Sequence, residues 1–236
     1  MLHEQRLAPQ PVRWSRRFGR FGPGARGGRC HPAHGRATPA YRFFNAEEAA
    51  FVAPAVNRLI PPDERWPGAR EAGVPTYIDQ QLASAYGQGA RLYAAGPWEP
   101  GTPSQGYQLP LNPSQLYRTA LAAIARELAG KPFGELPPEQ QDAFLTRLEQ
   151  SQVPMEFPSA QFFDTLLANT IEGFFADPMY GGNRDMVGWR MIGFPGAYAA
   201  YLEIYTGHGL RFDREPMSIG SPGHGSGMHT GAPRHG

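Results

Sequence analysis

Histidine is missing from the whole middle of this chain. The seven histidines stand at positions 3, 31, 34, 208, 224, 229 and 235, so none lies between 34 and 208. The side chain best suited to proton transfer near neutral pH, and the commonest metal ligand, is therefore unavailable to a site built from the central sequence. Cysteine is nearly missing too. Cys30 stands alone, which excludes an internal disulfide and a cysteine-built metal cluster. No run of about twenty apolar residues occurs, so no segment has the makings of a membrane-spanning helix. From Tyr41 onward neither a phosphate-cradling nor a dinucleotide-binding glycine motif appears, and lysine is reduced to Lys131.

What is present is unevenly distributed. Residues 1–40 carry eight arginines against one acid, Glu4, whereas residues 41–236 carry fourteen basic and twenty acidic residues. The two parts are best read separately. The first is rich in Arg, Gly and Pro, without apolar periodicity, and is expected to be a disordered arm. Within it, Ser15-Arg16-Arg17-Phe18-Gly19-Arg20-Phe21 has the form of a twin-arginine export signal. Such a signal needs an apolar stretch after the arginines, and here Gly, Arg, Cys and His follow instead. As written the signal is defective, or the start is misread. The arm could bind nucleic acid or anionic lipid through its charge, but no nucleic-acid partner is expected.

From Tyr41 onward the pattern is helical. Asn45-Ala-Glu-Glu48 is a capping box, and the helix it opens carries Phe51, Val52, Val56, Leu59 and Ile60 before Pro61-Pro62, with Pro54 as a candidate kink. A second helix is expected near Pro75, with Ile78, Leu82 and Tyr86 on one face. Residues 95–113 form a long proline-rich loop containing Trp98 and Tyr107; loops of this length in a compact domain usually have a role. Asn112-Pro113-Ser114-Gln115 opens a third helix (Leu116, Tyr117, Ala120, Leu121, Ile124, Leu128) that ends at Gly130. Pro137-Pro138-Glu139 opens a fourth. Ser159 is expected to cap a fifth, whose stripe of Phe162, Phe163, Leu166, Leu167, Thr170, Ile171 and Phe174 reads as core. No long alternating runs suggest strands. The expected fold is mainly α, one helical domain of five or six helices over 41–212 with long Pro/Gly-rich loops, then a flexible Gly/His-rich tail over 213–236. A domain of that length can bury roughly 70% of its unfolded surface.

The densest stretch runs from Asp177 to Gly196, crowded with glycine, proline and aromatics. Pro178 ends the preceding helix. Gly181-Gly182 permits positive φ and is expected to let the loop stand out from the domain. Asn183 reads as the cap of a short helix with Asp185 in its first turn and Met186 and Trp189 on one face. Phe194-Pro195-Gly196 reads as a type II turn. The stretch either closes the domain as a rigid turn–helix–turn or presents an aromatic surface to a partner. A third option, calcium held by Asp177, Asn183 and Asp185, matches no EF-hand spacing, and Arg184 would repel the cation.

Three segments resemble the small subunit (subunit 3, gamma) of the gluconate 2-dehydrogenase family. They are Phe43–Leu82, including Arg58-Leu-Ile-Pro-Pro-Asp63 and Gly73-Val-Pro-Thr-Tyr-Ile-Asp79; Gly106-Tyr-Gln with Pro113-Ser-Gln-Leu-Tyr117; and Phe174–Gly196, including Tyr180-Gly-Gly-Asn183, Gly188-Trp189 and Phe194-Pro-Gly196. The resemblance implies a non-catalytic subunit, without a cofactor of its own, that binds a large FAD-dependent flavoprotein oxidising sugars, polyols or sugar acids. It further implies a cytochrome c subunit with haem c as a possible third member, twin-arginine export of the flavoprotein together with the small subunit, a periplasmic location, and membrane contact only through the complex. The expected partner-binding residues are Asp177, Tyr180, Gly181, Gly182, Asn183, Trp189, Phe194, Pro195 and Gly196, with Trp98 and Tyr107 of the proline-rich loop as the second candidate surface. No catalytic, cofactor-binding or metal-binding residue is expected in this chain. An independent enzyme working through carboxylates such as Asp79, Glu172 or Asp177 stays open as the alternative.

Overall fold

The structure, a computed structural model, describes residues 40–90, 92, 95–99, 101–102, 108–197 and 215–220. Among them are six α-helices and no β-strand: α1 (Ala46–Leu59), α2 (Val74–Leu82), α3 (Pro113–Glu127), α4 (Pro138–Glu149), α5 (Ser159–Phe175) and α6 (Val187–Ile192). The fold is mainly α and forms a single domain. No helix among the described residues is long and apolar enough to cross a membrane.

Two helices start where local chemistry dictates. Asn45 accepts from the Glu48 N–H while Glu48 accepts from the Asn45 N–H, each at 2.9 Å. Asn112 and Gln115 form the same reciprocal pair at the start of α3. Each box satisfies two helix N–H groups that would otherwise lack partners. α1 continues through Pro54. Proline there removes the bond that Ala50 O would accept, and Gly134 packs against the Pro54 ring beside that carbonyl.

α5 is the centre of the domain and touches α1, α2, α3, α4 and α6. That position explains why its apolar face is so broad: Phe162, Phe163, Leu166 and Phe174 are buried, and Gly173 admits the Tyr77 ring. Rings of Phe44, just before the cap of α1, Tyr117 of α3 and Phe162 of α5 meet in succession. Phe51, Phe133 and Phe144 form a second aromatic group. The polar atoms within this core are paired: Asn169 donates to the Tyr117 hydroxyl, and Thr170 donates to the Leu166 carbonyl.

Four local expectations need correction. α2 ends at Leu82, so Tyr86 lies beyond it in a turn and is exposed. Ser159 does not cap α5; it is the first helical residue, and its hydroxyl donates to Leu148 O, tying α5 to the end of α4. Ile171 faces solvent, because the broad buried face of α5 stops short of it. The left-handed turn after α3 begins at Ala129, one residue before Gly130.

Candidate partner-binding site

The segment after α5 is a chain of tight turns. Asp177 accepts from the Met179 N–H and opens a single 3-10 turn, Pro178–Tyr180, which Gly181 closes with φ +91°. A second 3-10 turn, Arg184–Met186, leads into α6. Asn183, Asp185 and Met186 all have positive φ, a conformation uncommon for residues other than glycine and tolerated best by Asn and Asp. Met186 therefore precedes α6 instead of sharing a helical face with Trp189.

Long-range bonds hold these turns. Arg184 N–H donates to Ala72 O at 2.8 Å, fixing the block to the turn before α2. The Asn183 side chain is completely buried, at 0% exposure. Its amide donates to Ala176 O, and its oxygen accepts from the Gly188 N–H, both at 2.8 Å. Asn183 thus caps α6 from outside the first turn and binds the helix to the end of α5. Trp189 is buried as well, at 6% exposure, with Nε1 donating to Phe175 O at 2.7 Å and its ring edge-on to Phe194.

The glycines serve close approach. A Cβ added at Gly182 would lie 2.2 Å from Gly173 O, and one at Gly188 would lie 2.2 Å from Phe174 O. The loop therefore lies down on the C-terminal end of α5, contrary to the expectation that the glycine pair makes it stand out. Among the expected site residues, Gly182, Asn183, Trp189 and Gly196 are buried, and Asp177, Gly181 and Pro195 are partly buried. Tyr180, at 48% exposure, and Phe194 face solvent. Trp98 lies elsewhere, lining a smaller cleft with Leu109, Asn112 and Gln115 at the start of α3. Tyr107 is outside the described residues.

Sequence reasoning singled out Tyr180 and Phe194 but missed the rest of the outer layer of this block. Met179, Tyr180, Met191, Ile192 and Phe194 are exposed apolar side chains on the block, and Ile219 adds a sixth. Among the described residues only Tyr86, Leu92 and Ile171 are comparably large, apolar and exposed elsewhere. It also missed residues 215–220. Composition assigns them to the tail, yet Met217 pairs with Gly196 in a parallel bridge and Ser218 is buried. Asp177 accepts from Ser218 Oγ and from the Ile219 N–H. Its carboxylate and the Asn183 amide are thus occupied by protein donors and acceptors.

The other two carboxylates considered for acid–base work differ from each other. Asp79 is buried in α2 and accepts from the Arg42, Phe43 and Phe44 N–H groups at 2.8–2.9 Å, which fixes the chain leading into α1. Glu172 borders a cleft of about 700 Å³ between α5 and the segment after α2, together with Tyr86, Leu92, Gln161, Asp164 and Asn169. Partial burial raises both the Glu172 carboxyl and the Tyr86 phenol above their ordinary values.

Residues 46–196 match the family described as gluconate 2-dehydrogenase subunit 3. The chain belongs to that family. The match covers all six helices and ends at Gly196, the last residue of the block. Comparison with the curated proteins and with the solved structures gives no match. Members of the gluconate 2-dehydrogenase subunit 3 family are subunits of a dehydrogenase complex.

Proposed function

We propose that the chain is the non-catalytic small subunit of a membrane-associated, FAD-dependent dehydrogenase complex acting on sugars, sugar acids or alcohols. In this reading it binds and stabilises the large flavoprotein and assists its export to the periplasm. FAD belongs to the large subunit, haem c to a third subunit where one is present, and the membrane is reached only through the complex. Family membership carries the reading. The concentration of exposed apolar side chains on Asp177–Gly196 supports placing the interface there, because large exposed apolar patches commonly mark association sites.

The test is co-expression of the tagged chain with a large FAD-dependent dehydrogenase subunit from the same source. The expected result is co-elution of a stoichiometric flavin spectrum and substrate-dependent dye reduction by the complex. The chain alone is expected to be colourless and inactive. Recovery of the chain without flavoprotein would overturn the reading. A second reading, a carboxylate enzyme, draws on Glu172, whose raised pKa and position beside a cleft fit a proton-transfer role. Turnover by the isolated chain that is lost in Glu172→Gln would favour it.

A further inference from the structure

Residues Glu215–Gly220 return to the block and are fastened at two places. At one end, Ala197 N–H donates to Met217 O at 2.8 Å and Met217 N–H donates to Pro195 O at 3.1 Å. At the other, the Asp177 carboxylate accepts from Ser218 Oγ and, at 2.9 Å, from the Ile219 N–H, while Gly220 N–H donates to Ser218 Oγ. Close packing accompanies the bonds: a Cβ added at Gly196 would lie 2.2 Å from Met217 O, and one at Gly220 would lie 3.2 Å from Met179 Cβ.

The clasp does not drive a large side chain into the core. Only Ser218 is buried; Ile219 is held out at 55% exposure, next in sequence to Gly220, which packs on Met179, itself 53% exposed. An isoleucine held more than half exposed by its own backbone gains only part of what full burial would give it. Covered by a second protein, it would contribute apolar area with its ordering already complete.

We propose that residues 215–220 and the Asp177–Gly196 block form one composite docking surface for the flavoprotein subunit, with Asp177 as the clasp that sets Ile219 beside Met179 and Tyr180. The proposal rests on the reading of the chain as the small subunit. The surface has an apolar centre of Met179, Tyr180 and Ile219. Its rim mixes charges of both signs: Arg184 beside Asp185, and Arg190 3.4 Å from Glu215. This is the arrangement of a protein interface. A surface made for anionic lipid would surround its apolar anchors with an excess of basic residues, which is not found among the described residues of this rim. Asp177 is a positioning residue that acts through residues 218 and 219.

The test uses the full chain and its complex with the flavoprotein. Ile219→Ser is expected to leave the melting midpoint of the isolated chain unchanged and to raise Kd for the flavoprotein about tenfold or more. Asp177→Asn replaces one acceptor oxygen by a donor. It is expected to speed amide exchange at Ile219 in the free chain and to raise Kd similarly, while Asp177→Glu retains part of the binding. Wild-type affinity in Ile219→Ser alongside weakened binding in Tyr180→Ala would overturn the composite surface and leave the block as the interface. Wild-type affinity in both variants would overturn the block as well, and no binding by the unaltered chain would overturn the small-subunit reading itself. Dimerisation of the isolated chain, or binding to phosphatidylglycerol vesicles, that Ile219→Ser abolishes without changing flavoprotein affinity would assign the surface to another occupant and overturn the proposal.

Discussion

Asn45 and Asn183 are the same residue at helix starts of opposite construction. Asn45 is exposed and works within four residues: it accepts from Glu48, and Glu48 returns the bond. Asn183 is buried and works across elements, donating seven residues back to Ala176 and accepting five residues ahead from Gly188. The first device builds one helix. The second joins two and holds a run of left-handed residues between them. The starts of α1 and α3 are therefore set by their own first residues, whereas the block from Asp177 to Gly196 depends on α5 and the turn before α2 to hold it.

The largest expected effect falls on the block's anchor. Trp189→Ala removes a buried ring and its bond to Phe175 O and should destabilise the fold by roughly 3–5 kcal/mol in denaturant unfolding. A loss below about 1 kcal/mol would mean that the block is not fastened as described.

Asn183→Ala should cost about 1–3 kcal/mol, because it strands the partly buried Ala176 carbonyl and the buried Gly188 N–H. Asn45→Ala should cost about 1 kcal/mol, as exposed caps do. Equal losses in the two variants would erase the contrast between local and cross-element capping. Tyr180→Ala should stay within about 0.5 kcal/mol of the parent in stability while weakening the complex by about 2 kcal/mol, separating the outer layer of the block from its inner one.

The smallest effect concerns Glu172 in the helical body. Burial raises its carboxyl pKa in the folded chain, so the folded state holds that proton more tightly than the unfolded state does. Below the ordinary glutamate range the group is neutral in both states and costs nothing. As pH rises through the raised value, the charged form weakens folding. Glu172→Gln should therefore be slightly more stable than the parent at neutral pH and equal to it in acid, as melting midpoints across pH would read. A parent favoured at neutral pH would reverse the sign and point to an attractive charge near Glu172.

This contrast also explains what was legible in the sequence. Capping boxes at Asn45 and Asn112, the Pro61-Pro62 break and the aromatic stripe of α5 all have their causes within a few residues, so they can be read from the chain. Asp79 gathering three N–H groups from residues 42–44, Ser159 binding Leu148, and Gly182 lying on Gly173 have their causes in other elements. Asp177 is the clearest instance. Its place before Pro178 is plain in the sequence, but its donors at Ser218 and Ile219 lie 41 and 42 residues on, in a segment whose composition suggests only a tail. The block itself was visible as a density of glycine and aromatics. Which of its residues face inward was not, because positive φ and close approach favour the same residue.

Hydroxyl-radical footprinting of the chain, free and in complex with the flavoprotein, tests the central claim most directly, since it reads the exposure of individual Met and aromatic side chains. The account predicts strong labelling of Met179, Tyr180, Met191 and Phe194 in the free chain and their protection in the complex, with Tyr86 labelled equally in both. Unchanged labelling of those four residues, with protection appearing instead around Trp98, would contradict it.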